Sequence, residues 1–167
     1  GYDPARQVVV LFGGRSGSST DLSETWEYSA GVWSQMSFVG PGIRSFAGMV
    51  YDPIGAELLM FGGLSGATDL NETWVYSGSG WTRRQPTSSP PVRHAAGLVW
   101  DPTRQRVLAF GGAAGNPEVY LSDTWAWDGA NWAPLSVGAV GPIWIHQAAH
   151  DSARNVTVFY GGFSGSS

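Results

Sequence analysis

Asp52-Pro-Ile-Gly-Ala-Glu-Leu-Leu-Met-Phe-Gly-Gly63, continued by Leu70-Asn-Glu-Thr-Trp-Val-Tyr76 and by Trp81, is the stretch on which the fold turns. It opens on an Asp-Pro pair. Proline fixes φ and aspartate bonds nearby backbone, so a tight turn is expected there. The apolar run that follows is too brief for a helix and is ended by two glycines, as a buried strand would be. Thr-Trp-Val-Tyr is rich in strand formers, and Ser77-Gly-Ser-Gly80 supplies the loop of a hairpin leading into Trp81. One unit therefore reads as four strands, over residues 44–51, 57–61, 72–77 and 80–84.

The stretch recurs through the chain. Gly-Gly doublets stand at Gly13-Gly14, Gly62-Gly63, Gly111-Gly112 and Gly161-Gly162, at spacings of 49, 49 and 50 residues. An aspartate (Asp3, Asp52, Asp101 or Asp151) lies ten residues before the first glycine of each doublet. Trp26, Trp74 and Trp125 centre the Thr-Trp runs, and Trp33, Trp81 and Trp132 follow seven residues later. Self-similarity at a period of about fifty residues is the signature of a repeat architecture.

The doublet, the Thr-Trp-x-aromatic run and the spaced Trp, in that order, resemble the kelch-repeat family over essentially the whole chain. That resemblance implies an all-β fold of kelch-like β-propeller blades, each of four antiparallel strands. The expected division is a partial blade over 1–38, blades over 39–87 and 88–138, and a partial blade over 139–167. This is an incomplete ring of about three to three and a half blades, whereas closed propellers have at least four. Open strand edges are then expected, and with them a longer propeller or self-association of copies.

Most of the repeated residues have a structural reading. The doublet glycines permit φ > 0 or close backbone approach. Trp26 with Tyr28, Trp74 with Tyr76 and Trp125 with Trp127 lie two apart and so share a sheet face. Glu24, Glu72 and Asp123 each precede a Thr-Trp pair. Carboxylates spread one per unit do not gather as a catalytic pair, and they are expected to accept backbone hydrogen bonds at strand starts.

Composition narrows the function classes. The 9 basic residues, all Arg, are outnumbered by 13 acidic ones, giving a net charge of −4. No basic run supplies an electrostatic footprint for nucleic acid. The longest apolar run, Val8 to Phe12, is far too short for a membrane span. With no Cys there is no disulfide, no thiolate metal site and no thiol nucleophile. The Cys-modified tyrosine of kelch-like copper oxidases is excluded with them. No cofactor is indicated, and no catalytic residue is assigned.

By the resemblance, arginines in a Pro-x-x-Arg setting line one mouth of the propeller. Arg44 and Arg93 are thus expected on a ligand-facing rim, where a guanidinium fork suits carboxylates; the alternative is that each pairs with an acid or carbonyl in an adjacent blade. Ser45, His94 and His146 would vary that rim from copy to copy. The third copy, Pro142-Ile-Trp-Ile145, puts Ile145 in the arginine's place and reads as two residues shorter. His146 and His150, four apart on a strand, are roughly 13 Å from each other and do not share a metal. Asn71-Glu-Thr73 and Asn155-Val-Thr157 match the glycosylation triplet, which has meaning only in a secreted eukaryotic protein. The expected function is a non-catalytic interaction or assembly scaffold for protein or carbohydrate. The alternative is part of a sugar-acting kelch-type enzyme.

Overall fold

The computed structural model describes residues 1–17, 20–137, 141–144 and 147–163, and all regular structure among them is β-strand. Three antiparallel four-stranded sheets follow one another along the chain. The first comprises Tyr2–Asp3, Val8–Phe12, Thr25–Ser29 and Val32–Met36. The second comprises Gly48–Asp52, Glu57–Phe61, Thr73–Tyr76 and Trp81–Arg84. The third comprises Gly97–Asp101, Arg106–Phe110, Thr124–Trp127 and Trp132–Pro134. A two-stranded hairpin, Gln147–Asp151 with Val156–Tyr160, comes after them. Among the described residues no helix is long and apolar enough to cross a membrane.

Local chemistry sets the strand ends. The Oδ1 atom of each repeated aspartate accepts from backbone N–H groups two and three residues on, as Asp101 does from Thr103 (2.9 Å) and Arg104 (3.1 Å). Such an Asx turn reverses the chain without help from elsewhere. At the other end of the second strand, Gly62 and Gly63 both have φ > 0. A Cβ built on Gly62 would lie 2.5 Å from the Arg93 carbonyl oxygen, so any side chain there would force the lead-in to the next sheet away.

The first strand of the second sheet starts at Gly48, four residues later than the sequence suggests. Arg44 and Ser45 instead direct their backbone bonds to the preceding unit and to a short ribbon, and Phe46 is turned at φ 54°. That ribbon, Leu64–Ser65 with Thr68–Asp69, was not anticipated from sequence. Its counterparts are Arg15–Ser16 with Thr20–Asp21 and Ala113–Ala114 with Val119–Tyr120. Phe61 is opposite both Gly48 and Thr73 in register, so ribbons and lead-in segments share one end of each sheet. The Asx turns occupy the other end.

The hydrophobic core lies between the sheets. Along Glu57–Phe61, Leu58 and Met60 pack with Val8, Val10, Tyr76 and Trp81 of the first junction. Leu59 and Phe61 point the opposite way, into a second cluster with Val75, Val107, Ala109, Trp127 and Trp132. Period-two alternation thus buries the middle sheet on both faces. A third cluster of Val99, Leu108 and Ala126 lies towards the last hairpin and is met there by Ala148. The first strands of successive sheets, Gly48–Asp52, Gly97–Asp101 and Gln147–Asp151, approach one another closely, so the sheets meet along their first-strand edges.

Two indoles fasten the junctions. Trp81 Nε1 donates to Thr25 Oγ1 of the preceding sheet, and Trp132 Nε1 donates to Thr73 Oγ1, each at 2.9 Å. The Tyr76 hydroxyl donates to Glu27 across the first junction. Burial and that carboxylate push the phenol well above its ordinary pKa. Equivalent residues do not share one environment, however. Trp26, Trp74 and Trp125 are only half-buried. Trp132 is 1% exposed, whereas Trp33 is 47% exposed on the outward face of the first sheet.

That contrast gives a direct measurement. Trp132→Ala is expected to cost roughly 3–5 kcal/mol in urea unfolding, as a large core truncation does. Trp33→Ala, at the same place in the repeat, is expected to cost less than about 1 kcal/mol. Equal losses would contradict the packing described.

Candidate functional site

The arginines expected on a rim lie inside the molecule. Arg44 is 2% and Arg93 0% exposed. Arg44 donates through Nη1 to the Gly62 carbonyl (2.8 Å) and through Nη2 to Glu72 Oε2 (2.5 Å). Arg93 makes the corresponding bond to the Gly111 carbonyl and a bidentate pair with Asp123 at 2.6 and 2.8 Å. Each carboxylate also accepts an indole N–H from the tryptophan two residues on: Trp74 for Glu72 (2.9 Å) and Trp125 for Asp123 (2.7 Å). The repeated acids therefore bind side chains, where backbone partners were expected. With the guanidinium groups buried and paired, Arg44 and Arg93 do not present the ligand-facing surface that the resemblance implied.

Electrostatics fit this arrangement. Burial pushes the Glu72 carboxyl up, but the Trp74 N–H and the Arg44 guanidinium outweigh it and hold the group below its usual range. Asp123 is likewise raised by burial and held low by Arg93 and Trp125. Burial lowers Arg44 from its ordinary value, offset in part by Glu72.

The third copy needs a different alignment from the one its prolines suggest. Gly14 and Gly63 donate their N–H to the carbonyls of Arg44 and Arg93, and Gly112 donates to that of Ile143. Ile143 N–H donates in turn to Leu121, as Arg44 does to Leu22 and Arg93 to Leu70. Ile143 therefore holds the arginine's place, eight residues before Asp151 as Arg44 is before Asp52 and Arg93 before Asp101, and nothing is deleted. Ile145 and His146 lie outside the described residues.

Correct register reveals the site. Ser45, His94 and Trp144 are equivalent, and each forms an isolated bridge, to Leu64, Ala113 and Phe163 respectively. Ser45 is buried. His94, also buried, has Nδ1 2.6 Å from Asp69 and Nε2 3.3 Å from Glu118. Its ring lies 6.2 Å from Phe46 on one side and meets Trp144 edge-on at 5.9 Å on the other. Trp144 stacks on Tyr120 at 5.6 Å, and Phe163 packs edge-on against both rings. The Trp144 indole N–H is shielded from solvent and has no partner among the described residues.

The tract from Phe46 through His94 and Trp144 to Tyr120 and Phe163 thus crosses two junctions at the ribbon end. Phe46 and Phe163 are the exposed members. Arg15 lies over the Phe46 ring at 5.5 Å and bonds Asp21 at 2.7 Å. That bond holds the Asp21 carboxyl below its usual range. Phe46 also lines a groove of about 280 Å³ with Met49, Leu98 and Gln147, along the first-strand edges. Sequence reasoning named Ser45 and His94, which lie in this row, and did not name Phe46, Tyr120, Trp144 or Phe163. The signal was Trp144, hidden by the two-residue slip in the third copy. Among the described residues no cluster of three or more His, Asp or Glu could hold a metal. No family model matches the chain, and no curated protein matches it.

The buried clamps predict acid sensitivity. The folded pKa values of Glu72 and Asp123 lie below their unfolded ones, so this stabilisation is complete above about pH 5 and is lost as pH falls through the folded values. Arg93→Ala, which leaves Asp123 and the Gly111 carbonyl without their donor, is expected to cost roughly 2–4 kcal/mol at neutral pH. Its stability loss should shrink in acid, as followed by urea titration at several pH values. A loss independent of pH would contradict the pairing.

Proposed function

We propose that the chain is a run of kelch-like propeller blades acting as a non-catalytic scaffold, and that it holds protein or carbohydrate at the ribbon end. The fold reading is supported by three sheets of one design that meet along their first strands, and by the doublet glycines lodged against the next unit. One observation carries the functional reading. The buried framework repeats almost unchanged, while the equivalent ribbon-end positions change chemistry from copy to copy: Ser45, His94, Trp144 in one row and Asp21, Asp69, Tyr120 in another. A repeat that keeps its packing and varies one end is organised for recognition there.

The chemistry of that end suits a ligand with an apolar face and polar edges. Rings of Trp144, Tyr120 and Phe163 offer flat surface for the C–H face of a sugar or for a peptide side chain. Glu118 and Asp69 lie beside them as acceptors for hydroxyl or cationic groups. Truncating these anchors should remove binding without disturbing the sheets. Phe46→Ala/Trp144→Ala is expected to weaken binding at least about tenfold against a glycan array and an immobilised basic peptide set, at the scale of aromatic contacts. An unchanged circular dichroism spectrum would show that the fold persists. Undiminished binding by that variant would sink the assignment of this surface.

A further inference from the structure

The second unit differs from its neighbours along its last strand. Trp81-Thr-Arg-Arg84 sets Arg83 opposite Trp74 and Arg84 opposite Thr73. In the first unit the residues opposite Trp26 and Thr25 are Gln35 and Met36. In the third, Pro134 is opposite Trp125, and Leu135 donates its N–H to Thr124. Of these three units the second alone brings cations to this strand, at the edge of the sheet away from its first strand.

Beside the two arginines is a pocket of about 330 Å³, bordered by Asn71, Glu72, Arg83, Gln85, Pro86 and Ser89. The connection that forms one wall is fastened on both sides. Ser89 Oγ donates to the Asn71 carbonyl at 3.2 Å. Thr87 donates its N–H and its hydroxyl to Asn131 Oδ1 at 2.7 and 2.8 Å, and Trp132 N–H donates to the Ser88 carbonyl at 3.1 Å. Pro86, Pro90 and Pro91 restrict the same connection further. A pocket fixed in this way does not have to be ordered by its ligand.

The charge around it is unbalanced. Arg84 Nη2 donates to both oxygens of Glu57, at 2.9 and 2.8 Å, and is neutralised there. Glu72, by contrast, serves two guanidinium groups: Oε2 accepts from Arg44, and Oε1 lies 3.0 Å from Arg83 Nη2. In the third unit Asp123 turns both oxygens to Arg93. Arg44 and Arg83 therefore leave one positive charge uncompensated, and it reaches solvent at Arg83, whose side chain is 53% exposed. The buried partner responds to it. Burial first, and the Arg83 charge in smaller part, lower Arg44 from its ordinary value.

We infer that this pocket binds a single carboxylated sugar ring, with Arg83 on its carboxylate and Asn71, Gln85 and Ser89 on its hydroxyls. A guanidinium fork matches a carboxylate in geometry as well as charge. Amide and hydroxyl groups both donate and accept, as ring hydroxyls do. The volume is at the small end of the roughly 300–1,000 Å³ range of ligand pockets, room for one ring and not for a chain of them. One surplus charge answers one carboxylate, and Glu72 would repel a second, which sets an acidic peptide aside. The pocket shares no residue with the ribbon-end tract, so the inference goes beyond that reading and does not depend on it.

Titration of the full chain with D-glucuronate, followed by NMR shifts, tests the site, with glucose as the neutral probe. Glucuronate is expected to bind saturably at low salt with a Kd on the order of 1 mM, shifting signals of Asn71, Arg83, Gln85 and Ser89. Glucose is expected to bind at least about tenfold more weakly, the effect of one hydrogen bond to a charged group. Arg83→Gln installs the residue type that the first unit has at Gln35. It should bring glucuronate down to the level of glucose without moving the urea midpoint. Asn71→Asp should do the same by repulsion. Phe46→Ala/Trp144→Ala should leave glucuronate binding as it was, so failure of this site and failure of the ribbon-end surface are distinguishable. Equal affinity for glucuronate and glucose, undiminished glucuronate binding by Arg83→Gln, shifts confined to the ribbon end, or no saturation at all would each overturn the proposal.

Discussion

Successive sheets are joined by a pair of main-chain hydrogen bonds that no side chain can replace. The second doublet glycine donates to the carbonyl of the residue leading into the next sheet, and that residue's N–H donates to the ribbon's far side, as Gly63 does to Arg93 and Arg93 to Leu70. The approach leaves no room for a Cβ at Gly62, and the turn needs φ > 0 at both glycines. The bond pair survives when arginine is replaced by Ile143, so it comes before the guanidinium clamp. Once it is fixed, the lead-in carbonyl holds the register, and the first strand of the next sheet has one place to begin. Core packing then follows, because alternation along Glu57–Phe61 can face two neighbours only if both are held at that distance.

The clamp divides the labour differently. In Arg44 and Arg93 the backbone bonds the preceding unit while the side chain bonds its own sheet through the doublet carbonyl and the acid before Thr-Trp. A buried guanidinium is tolerable only when most of its donors are satisfied, and here a carbonyl and a carboxylate accept from it while an indole donates to the same carboxylate, leaving the Arg44 Nε without a partner among the described residues. Because the clamp is buried, the ribbon residues outside it are released from packing duty. His94 and Trp144 follow a framework residue directly in sequence, yet they reach different surroundings from Ser45 without altering the sheets.

Much of this was legible from residue order. The four strands per unit, the Asp turns and the permissive glycines are local properties, and local chemistry decides them. Arg44 and Arg93 were placed on a rim by their Pro-x-x-Arg setting, whereas their burial depends on an acid 28 or 30 residues away that the fold brings alongside. The ribbons were missed because two-residue strands such as Leu64–Ser65 have no periodicity to detect. The aromatic tract was missed for a third reason. Pro142 invited alignment with Pro41 and Pro90, whereas the backbone aligns Ile143 with Arg44 and Arg93, and the slip of two residues moved Trp144 out of the row containing His94. Trp33 marks a limit of a different kind. Its sequence context matches those of Trp81 and Trp132, yet it is 47% exposed where they are buried, because burial depends on what packs against the sheet and not on the local residues.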